Sequence, residues 1–357
     1  MNVRISEKIE IFAMKRYKLL ISGCGSAGRN VAQVAAADGR GEIVGLVDPQ
    51  QAQLDMMQEQ YPDASTGHEY ARLLRETQPD VVVVAGPDHL HADQAVMALE
   101  QGCHVLVEKP LATTVADAQR ILDAEAESGQ HVMTDQTMRY LHPWHEMALM
   151  AQSGEIGDVF FVQGDYIHDM WSHYSPEGKS HTPWRIDRQN PQNILLGGGC
   201  HPLDLILWTV ESPVTEVYAY SNKLSIPVFP DDDCYIVILQ FENGVTGKVF
   251  VTSGCSGHGM GEGMGGGFLA VYGTEGTLWK GQLFRRGHEP VPIEESSAHE
   301  VIGGHGWGRS VVDYLNLLDG KISNPIPARW GARIVSICEA ALDSIRTKRP
   351  QSPHWFE

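Results

Sequence analysis

The feature that most constrains this chain is an apolar run, Leu19-Leu20-Ile21, that enters Gly23-Cys24-Gly25-Ser26-Ala27-Gly28 and leaves through Val31, Val34 and Ala35 at helical spacing. A strand that turns through three glycines straight into a helix opens a β-α-β unit, which commits the chain to a parallel sheet with helical crossovers. Gly39 closes the helix, and Ile43-Val44-Gly45-Leu46-Val47 forms the next strand. The alternation continues with Val81 to Val84, a helix from His91 to Gln101, the strand His104 to Val107, a helix from about Thr114 to Ser128, and His131-Val132-Met133. Uninterrupted apolar strands separated by helices predict a doubly wound sheet covered on both faces.

Beyond about residue 138 strands and turns take over. Asn243-Gly244 between Tyr235-Ile236-Val237-Ile238-Leu239 and Val245 to Val251 predicts a hairpin, and Thr274-Glu275-Gly276 a second. The 357 residues exceed what one hydrophobic core usually serves. The expected division is a leader at 1–16, an NAD-binding Rossmann domain at 17–138, and an α+β domain with a large, mostly antiparallel sheet at 139–328. A helix from about Arg329 to Arg346 and a tail close the chain at 329–357, where they can pack back on the first domain. The stretch from Gly254 to Gly267 reads as a loop, suited to a lid over the cleft or an oligomer contact.

The glycine turn gives Gly23, Gly25, Ser26, Ala27 and Gly28 a dinucleotide role: backbone without side chains approaches a pyrophosphate at a helix N-terminus. Asp48, ending the second strand, is placed to accept ribose hydroxyls and to repel a 2'-phosphate, which favours NAD over NADP. Two further stretches end strands of the sheet, where an open α/β fold holds its ligand. These are Gly86-Pro87-Asp88-His89-Leu90-His91 and Glu108-Lys109-Pro110, which add Pro87, His91, Glu108 and Lys109 to the cofactor set. A partly desolvated lysine beside a nicotinamide relays the proton of an alcohol under oxidation, the role expected of Lys109.

These motifs together resemble the glucose-fructose oxidoreductase / inositol dehydrogenase / rhizopine-catabolism (Gfo/Idh/MocA) family over nearly the whole chain. The resemblance implies a catalytic lysine in Glu108-Lys109-Pro110, working with an aspartate and a histidine from a later Asp-x-x-x-His segment. That segment corresponds to Gly197-Gly198-Gly199-Cys200-His201, so His201 takes the histidine's place and Gly197 stands where the aspartate would be. His201, after a glycine run and before Pro202, is expected to be exposed in the active site as a proton acceptor or hydrogen-bond partner. Asp204, one turn later, either orients its ring or serves as a favourable charge in the first turn of that helix. Arg139 resembles a family position facing the cleft. Tyr166, His168, Trp184 and Arg185 form polar and aromatic clusters suited to a sugar, with Trp184 stacking on a pyranose face.

Composition bounds the function further. A formal net charge of −18 opposes a nucleic-acid surface. The six cysteines form no Cys-x-x-Cys pair, and no apolar run approaches membrane-spanning length, so a cytoplasmic protein with free thiols is expected. Histidine pairs and Asp231-Asp232-Asp233 complete no ligand set, so no metal is expected. The leading expectation is an NAD-dependent dehydrogenase or reductase of a sugar, sugar derivative or polyol, assembled as a homodimer or homotetramer as the resemblance implies. The alternative is a glycosidase that uses NAD for transient oxidation, elimination, hydration and re-reduction, for which Gly197 leaves space. A non-catalytic dinucleotide sensor is a third class.

Overall fold

The computed structural model describes residues 15–256, 268–296 and 306–356. The expected leader, apart from its last two residues, and most of the loop from 254 to 267 lie outside the described residues.

The first layer is β1 (Tyr17–Ser22), α1 (Ser26–Asp38), β2 (Gly41–Val47), α2 (Gln51–Gln60), β3 (Ser65–Gly67), α3 (Tyr70–Thr77), β4 (Val81–Val84), α4 (His91–Glu100), β5 (His104–Glu108), α5 (Val115–Ser128) and β6 (Val132–Asp135). All six strands pair in parallel in the order β3-β2-β1-β4-β5-β6. Every residue of β4 is buried, as a strand covered by helices on both faces must be. α5 shows how locally its bounds are set: the Thr114 side chain accepts from Asp117 N at the start, and Gly129 ends it at φ 67°. Strand order reverses between β1 and β4, so the loops after β1, β4 and β5 open into one crevice.

The second half runs α6 (Trp144–Gln152), β7 (Val159–Ile167), α7 (Trp171–Tyr174), α8 (Ile194–Gly197), α9 (Cys200–Val210), β8 (Val214–Asn222), β9 (Cys234–Phe241), β10 (Thr246–Thr252), β11 (Ala270–Gly273), β12 (Thr277–Trp279), β13 (Gln282–Phe284), β14 (Val291–Pro292), α10 (Trp307–Leu318) and α11 (Ala328–Thr347). Its eight strands are ordered β14-β13-β12-β11-β7-β10-β9-β8 and are antiparallel except for the β7–β10 pair. Both expected hairpins are present, with β9 and β10 joined through Gly244 at φ 89°. Alternate residues of β9 (Tyr235, Val237, Leu239, Phe241) are buried on one face, where the almost fully buried α9 lies.

α10 corrects the expected division at 328. Val311, Tyr314 and Leu315 form an apolar stripe that packs with Tyr17, Leu19, Val31 and Val34 in the core of the first sheet. A helix encoded in the 139–328 segment therefore completes the dinucleotide-binding layer, and Tyr17 Oη donates to Asp319 just beyond it at 2.9 Å. α11 bridges the two layers: Glu339 accepts from Val115 N at the head of α5, and Ser344 Oγ accepts from Ala219 N on β8.

Candidate active site

The glycine turn divides three tasks among three residues. Gly23 sits at φ 96°, and a Cβ there would come within 2.4 Å of the Ala85 carbonyl oxygen at the end of β4. A Cβ on Gly28 would stand 2.0 Å from Gly23 O, so α1 can seat against the turn only through glycine. Gly25 faces open space and caps α1 with no side-chain hydrogen bond, which leaves the first-turn amides to an external anion. Ser26 and Ala27 begin the helix at the surface. Asp48 is 7% exposed and accepts from Cys24 N and Gln50 N, each at 2.8 Å, so it braces the turn from the tip of β2. A pyrophosphate fits this cradle.

Pro87 is half-buried on the rim after β4. His91 needs correcting as a cofactor contact. Its ring is 1% exposed, with Nδ1 2.7 Å from Pro110 O and Nε2 3.1 Å from Gly86 O. It therefore staples the loop after β4 to the loop after β5. Glu108 is likewise occupied from within: Oε1 accepts from Trp307 Nε1 at 2.9 Å and Oε2 from Lys109 N at 3.1 Å.

Lys109 Nζ donates to Gly197 O at 2.9 Å, which joins the end of β5 to the α8–α9 turn across the crevice. Asn193 shapes that turn by capping α8, its Oδ1 accepting from Leu195 N and Leu196 N. A Cβ on Gly197 would fall 2.5 Å from Gln192 Nε2, and one on Gly198 2.5 Å from the Tyr166 ring. The place left by the absent side chain is thus filled by the Gln192 amide. Its Oε1 accepts from Arg185 Nη1 and from Tyr174 Oη, the latter at 3.4 Å, and this fixes which end of the amide faces Gly197.

His201 is the second residue of α9 and is 3% exposed, contrary to the expected exposed position. The glycine run lets aromatic rings close over it: Tyr166 stacks at 6.1 Å and Phe268 meets it edge-on at 5.9 Å. Tyr166 Oη lies 2.9 Å from His168 Nδ1. The Arg185 guanidinium covers one face of Trp184 at 4.8 Å. Burial pushes the neighbouring Cys200 thiol up to about 12, with the Lys109 ammonium pulling the other way.

Asp204 and Arg139 leave the catalytic and substrate sets. They are 0% and 6% exposed and bind each other in a two-point ion pair, at 2.7 Å to Nε and 2.6 Å to Nη2. Trp330 Nε1 donates to the same carboxylate at 2.7 Å, and the guanidinium lies between the Trp330 and Trp208 rings at 4.5 and 5.2 Å. Planar charge, planar acceptor and aromatic walls make a structural clasp between the end of the first sheet and α9.

Sequence reasoning passed over Gln192, which fills the place beside Gly197, and three residues that pack behind the site, Asp135, Trp307 and Ser310. Only Asp135 carried a signal, as a carboxylate at the end of a parallel strand. Among the described residues no group of three or more His, Cys, Asp or Glu gathers to hold a metal, and no helix is long and apolar enough to cross a membrane.

Residues 17–136 match the family model described as "Oxidoreductase family, NAD-binding Rossmann fold", and residues 144–279 match the GFO/IDH/MocA C-terminal domain. Among curated proteins, the chain is 31% identical over 186 residues to the putative oxidoreductase YteT of Bacillus subtilis, covering 50% of this chain and 42% of YteT. It is 29% identical over 194 residues to inositol 2-dehydrogenase of Salmonella typhimurium, covering 54% of each. The chain spans about half the length of the curated relatives it matches. Among solved structures, the WlbA dehydrogenase of Bordetella pertussis, in complex with NADH and UDP-GlcNAcA, superposes with a TM-score of 0.81. Its identity is 21%, with 96% of this chain and 99% of that one covered.

Proposed function

Because the chain belongs to the Gfo/Idh/MocA oxidoreductase family and carries its NAD-binding domain, we propose that it moves a hydride between NAD(H) and a hydroxyl or keto carbon of a sugar, sugar derivative or polyol. The observation that carries this reading is Lys109 Nζ held 2.9 Å from Gly197 O, at the strand ends of the crevice and one turn before His201.

Bound at the glycine turn, NAD supplies the redox step by taking or giving a hydride at nicotinamide C4. The chain handles binding, orientation and the proton. Gly23, Gly25, Ser26, Ala27 and Gly28 would hold the pyrophosphate, Asp48 would hold the adenosine ribose and disfavour a 2'-phosphate, and Pro87 and Glu108 would shape the cofactor's side of the crevice. With one N–H spent on Gly197 O, Lys109 has two further directions toward the reacting hydroxyl. In its neutral form it takes the hydroxyl proton, and as the ammonium it returns one to the alkoxide. His201 shares that hydrogen bond. The Gln192 amide nitrogen, Tyr166, His168, Arg185 and the uncovered face of Trp184 select the substrate, because a misfit hydroxyl pattern leaves buried polar groups unpaired.

Two relatives support a carbohydrate class by their names: inositol 2-dehydrogenase, and the D-glucoside 3-dehydrogenase of Escherichia coli, 30% identical over 119 residues. The outer face of the second sheet exposes Tyr220, Ile236, Ile238 and Trp279, which suits pairing with a second copy of the chain as a homodimer or homotetramer. Light scattering on the purified protein should give two or four subunits; a monomer at micromolar concentration contradicts this.

The test is incubation with NAD and a panel of free sugars, polyols and nitrophenyl glycosides, following NADH absorbance and nitrophenol together. NADH formation without nitrophenol, lost in Lys109→Ala, is the expected result. Nitrophenol without net NADH makes the protein a redox-assisted glycosidase. NAD binding with turnover of nothing on the panel favours a sensor. Gln192 fills the space at Gly197 that favoured the glycosidase on sequence grounds.

A further inference from the structure

Asp135 has no part in the chemistry above, yet it is 0% exposed and ends β6 directly beside Glu108, its in-register partner at the end of β5. Neighbours in register on adjacent parallel strands project to the same face, so two carboxylates share one buried spot behind Lys109. α10 clamps both from above: Ser310 Oγ donates to Asp135 Oδ1, and Trp307 Nε1 donates to Glu108 Oε1. The two sites are nonetheless unequal. Glu108 receives a donor on each oxygen, whereas Asp135 Oδ2 is buried with no donor directed at it among the described residues. An ionised carboxylate at that depth would need one.

We propose that Asp135 is a positioning residue that holds a proton under Lys109, so that the lysine faces one carboxylate charge instead of two. Two carboxylates in one buried site cannot both ionise cheaply, and the less solvated and less hydrogen-bonded partner keeps the proton. Burial, then the Glu108 charge, holds the Asp135 carboxyl well above the usual carboxylate range, while Ser310 and the Lys109 ammonium pull it down. Around this spot Tyr140 feels Asp135 together with Asp313, Arg139 and Arg309, and Cys200 feels the Lys109 charge together with Asp88, Asp204 and Glu108. An ionised Asp135 would add a second negative charge next to Lys109, which favours the ammonium and opposes its service as a base. A neutral Asp135 therefore lets alcohol oxidation reach its full rate at a lower pH than a charged one would.

This rests on the oxidoreductase reading for its kinetic half only. The structural half is read without substrate: infrared spectra of the full-length protein at neutral pH should contain the C=O band of a desolvated, protonated carboxyl, absent in Asp135→Asn. Absence of that band in the wild type overturns the proposal whatever the protein catalyses. With an oxidised substrate from the panel, Asp135→Asn should keep its turnover near neutral pH within about threefold of wild type and leave the pH at which oxidation rises in place. NAD affinity should not change. A variant whose oxidation rises about one pH unit or more below the wild type overturns the proposal, because a charge was then removed from beside Lys109. Ser310→Ala is the second variant, for the case in which Asp135→Asn does not fold. It removes the donor that favours the ionised form, so the carboxyl band should persist to a pH higher by about half a unit or more than in wild type, and a band lost at the same or a lower pH overturns the proposal.

Discussion

Removing either half of the Arg139–Asp204 clasp should destabilise the protein, and the two halves should not cost the same. Asp204→Asn leaves a guanidinium that is 6% exposed and cannot give up its proton, facing an amide in place of two charge-assisted hydrogen bonds. Breaking a buried ion pair from one side costs about 3–5 kcal/mol, and this is the expected loss. Arg139→Met leaves a carboxyl that burial already pushes above the ordinary carboxylate range and that keeps Trp330 as a donor, so it can neutralise itself by taking a proton. That variant should lose less, about 1–3 kcal/mol, and should recover stability as pH falls. The double variant Arg139→Met/Asp204→Leu buries no charge and should cost less than Asp204→Asn alone. Urea unfolding followed by the fluorescence of Trp208 and Trp330, which sandwich the pair, reads all three. Additive costs in the double variant, or an Asp204→Asn loss below about 1 kcal/mol, would refute the reasoning and return Asp204 to the candidates for orienting His201.

The glycine turn separates binding from folding: Gly28→Ala should destabilise, its Cβ meeting Gly23 O at 2.0 Å, while Gly25→Val should fold normally and lose NAD binding by calorimetry. Gly197→Asp should displace Gln192, whose Nε2 stands 2.5 Å from the new Cβ, and raise KM more than it lowers kcat; the opposite split would place Gln192 outside substrate binding. At Asp319 burial alone would raise the carboxyl, yet Lys321, Arg40 and Tyr17 hold it down to about 2. A depressed folded value gives stability that is present above the unfolded value near 4 and lost as pH falls toward 2, so the melting-temperature gap between wild type and Asp319→Asn should close over that window.

The first layer was legible because each of its signals is local. Val81 to Val84 is a strand by composition alone, Gly23 to Gly28 allows little but a tight turn into a helix, and Thr114 and Gly129 mark a helix at both ends. α10 was not legible. Its 12 residues follow Gly303-Gly304-His305-Gly306, which reads as loop, and its apolar stripe has meaning only against β1 and α1, nearly 300 residues earlier in the chain. The site divides the same way. Lys109 was found from its place at a strand end, whereas Gln192 lies in the polar run Gln189-Asn190-Pro191-Gln192-Asn193, where nothing distinguishes one amide from another. Asp204 and Arg139 were misassigned because a charged residue near a catalytic segment looks the same in sequence whether it faces the cleft or a buried opposite charge 65 residues away.

The central claim is that a hydride moves between bound dinucleotide and a carbohydrate carbon under the control of Lys109. Incubation with NADH deuterated at C4 and a panel of keto-sugars, with mass spectrometry of the products, tests it most directly. One non-exchangeable deuterium should appear in a reduced product with wild type and not with Lys109→Ala, although both proteins bind NADH. Saturating NADH binding with no deuterium in any product, or equal labelling by the Lys109→Ala variant, would contradict it.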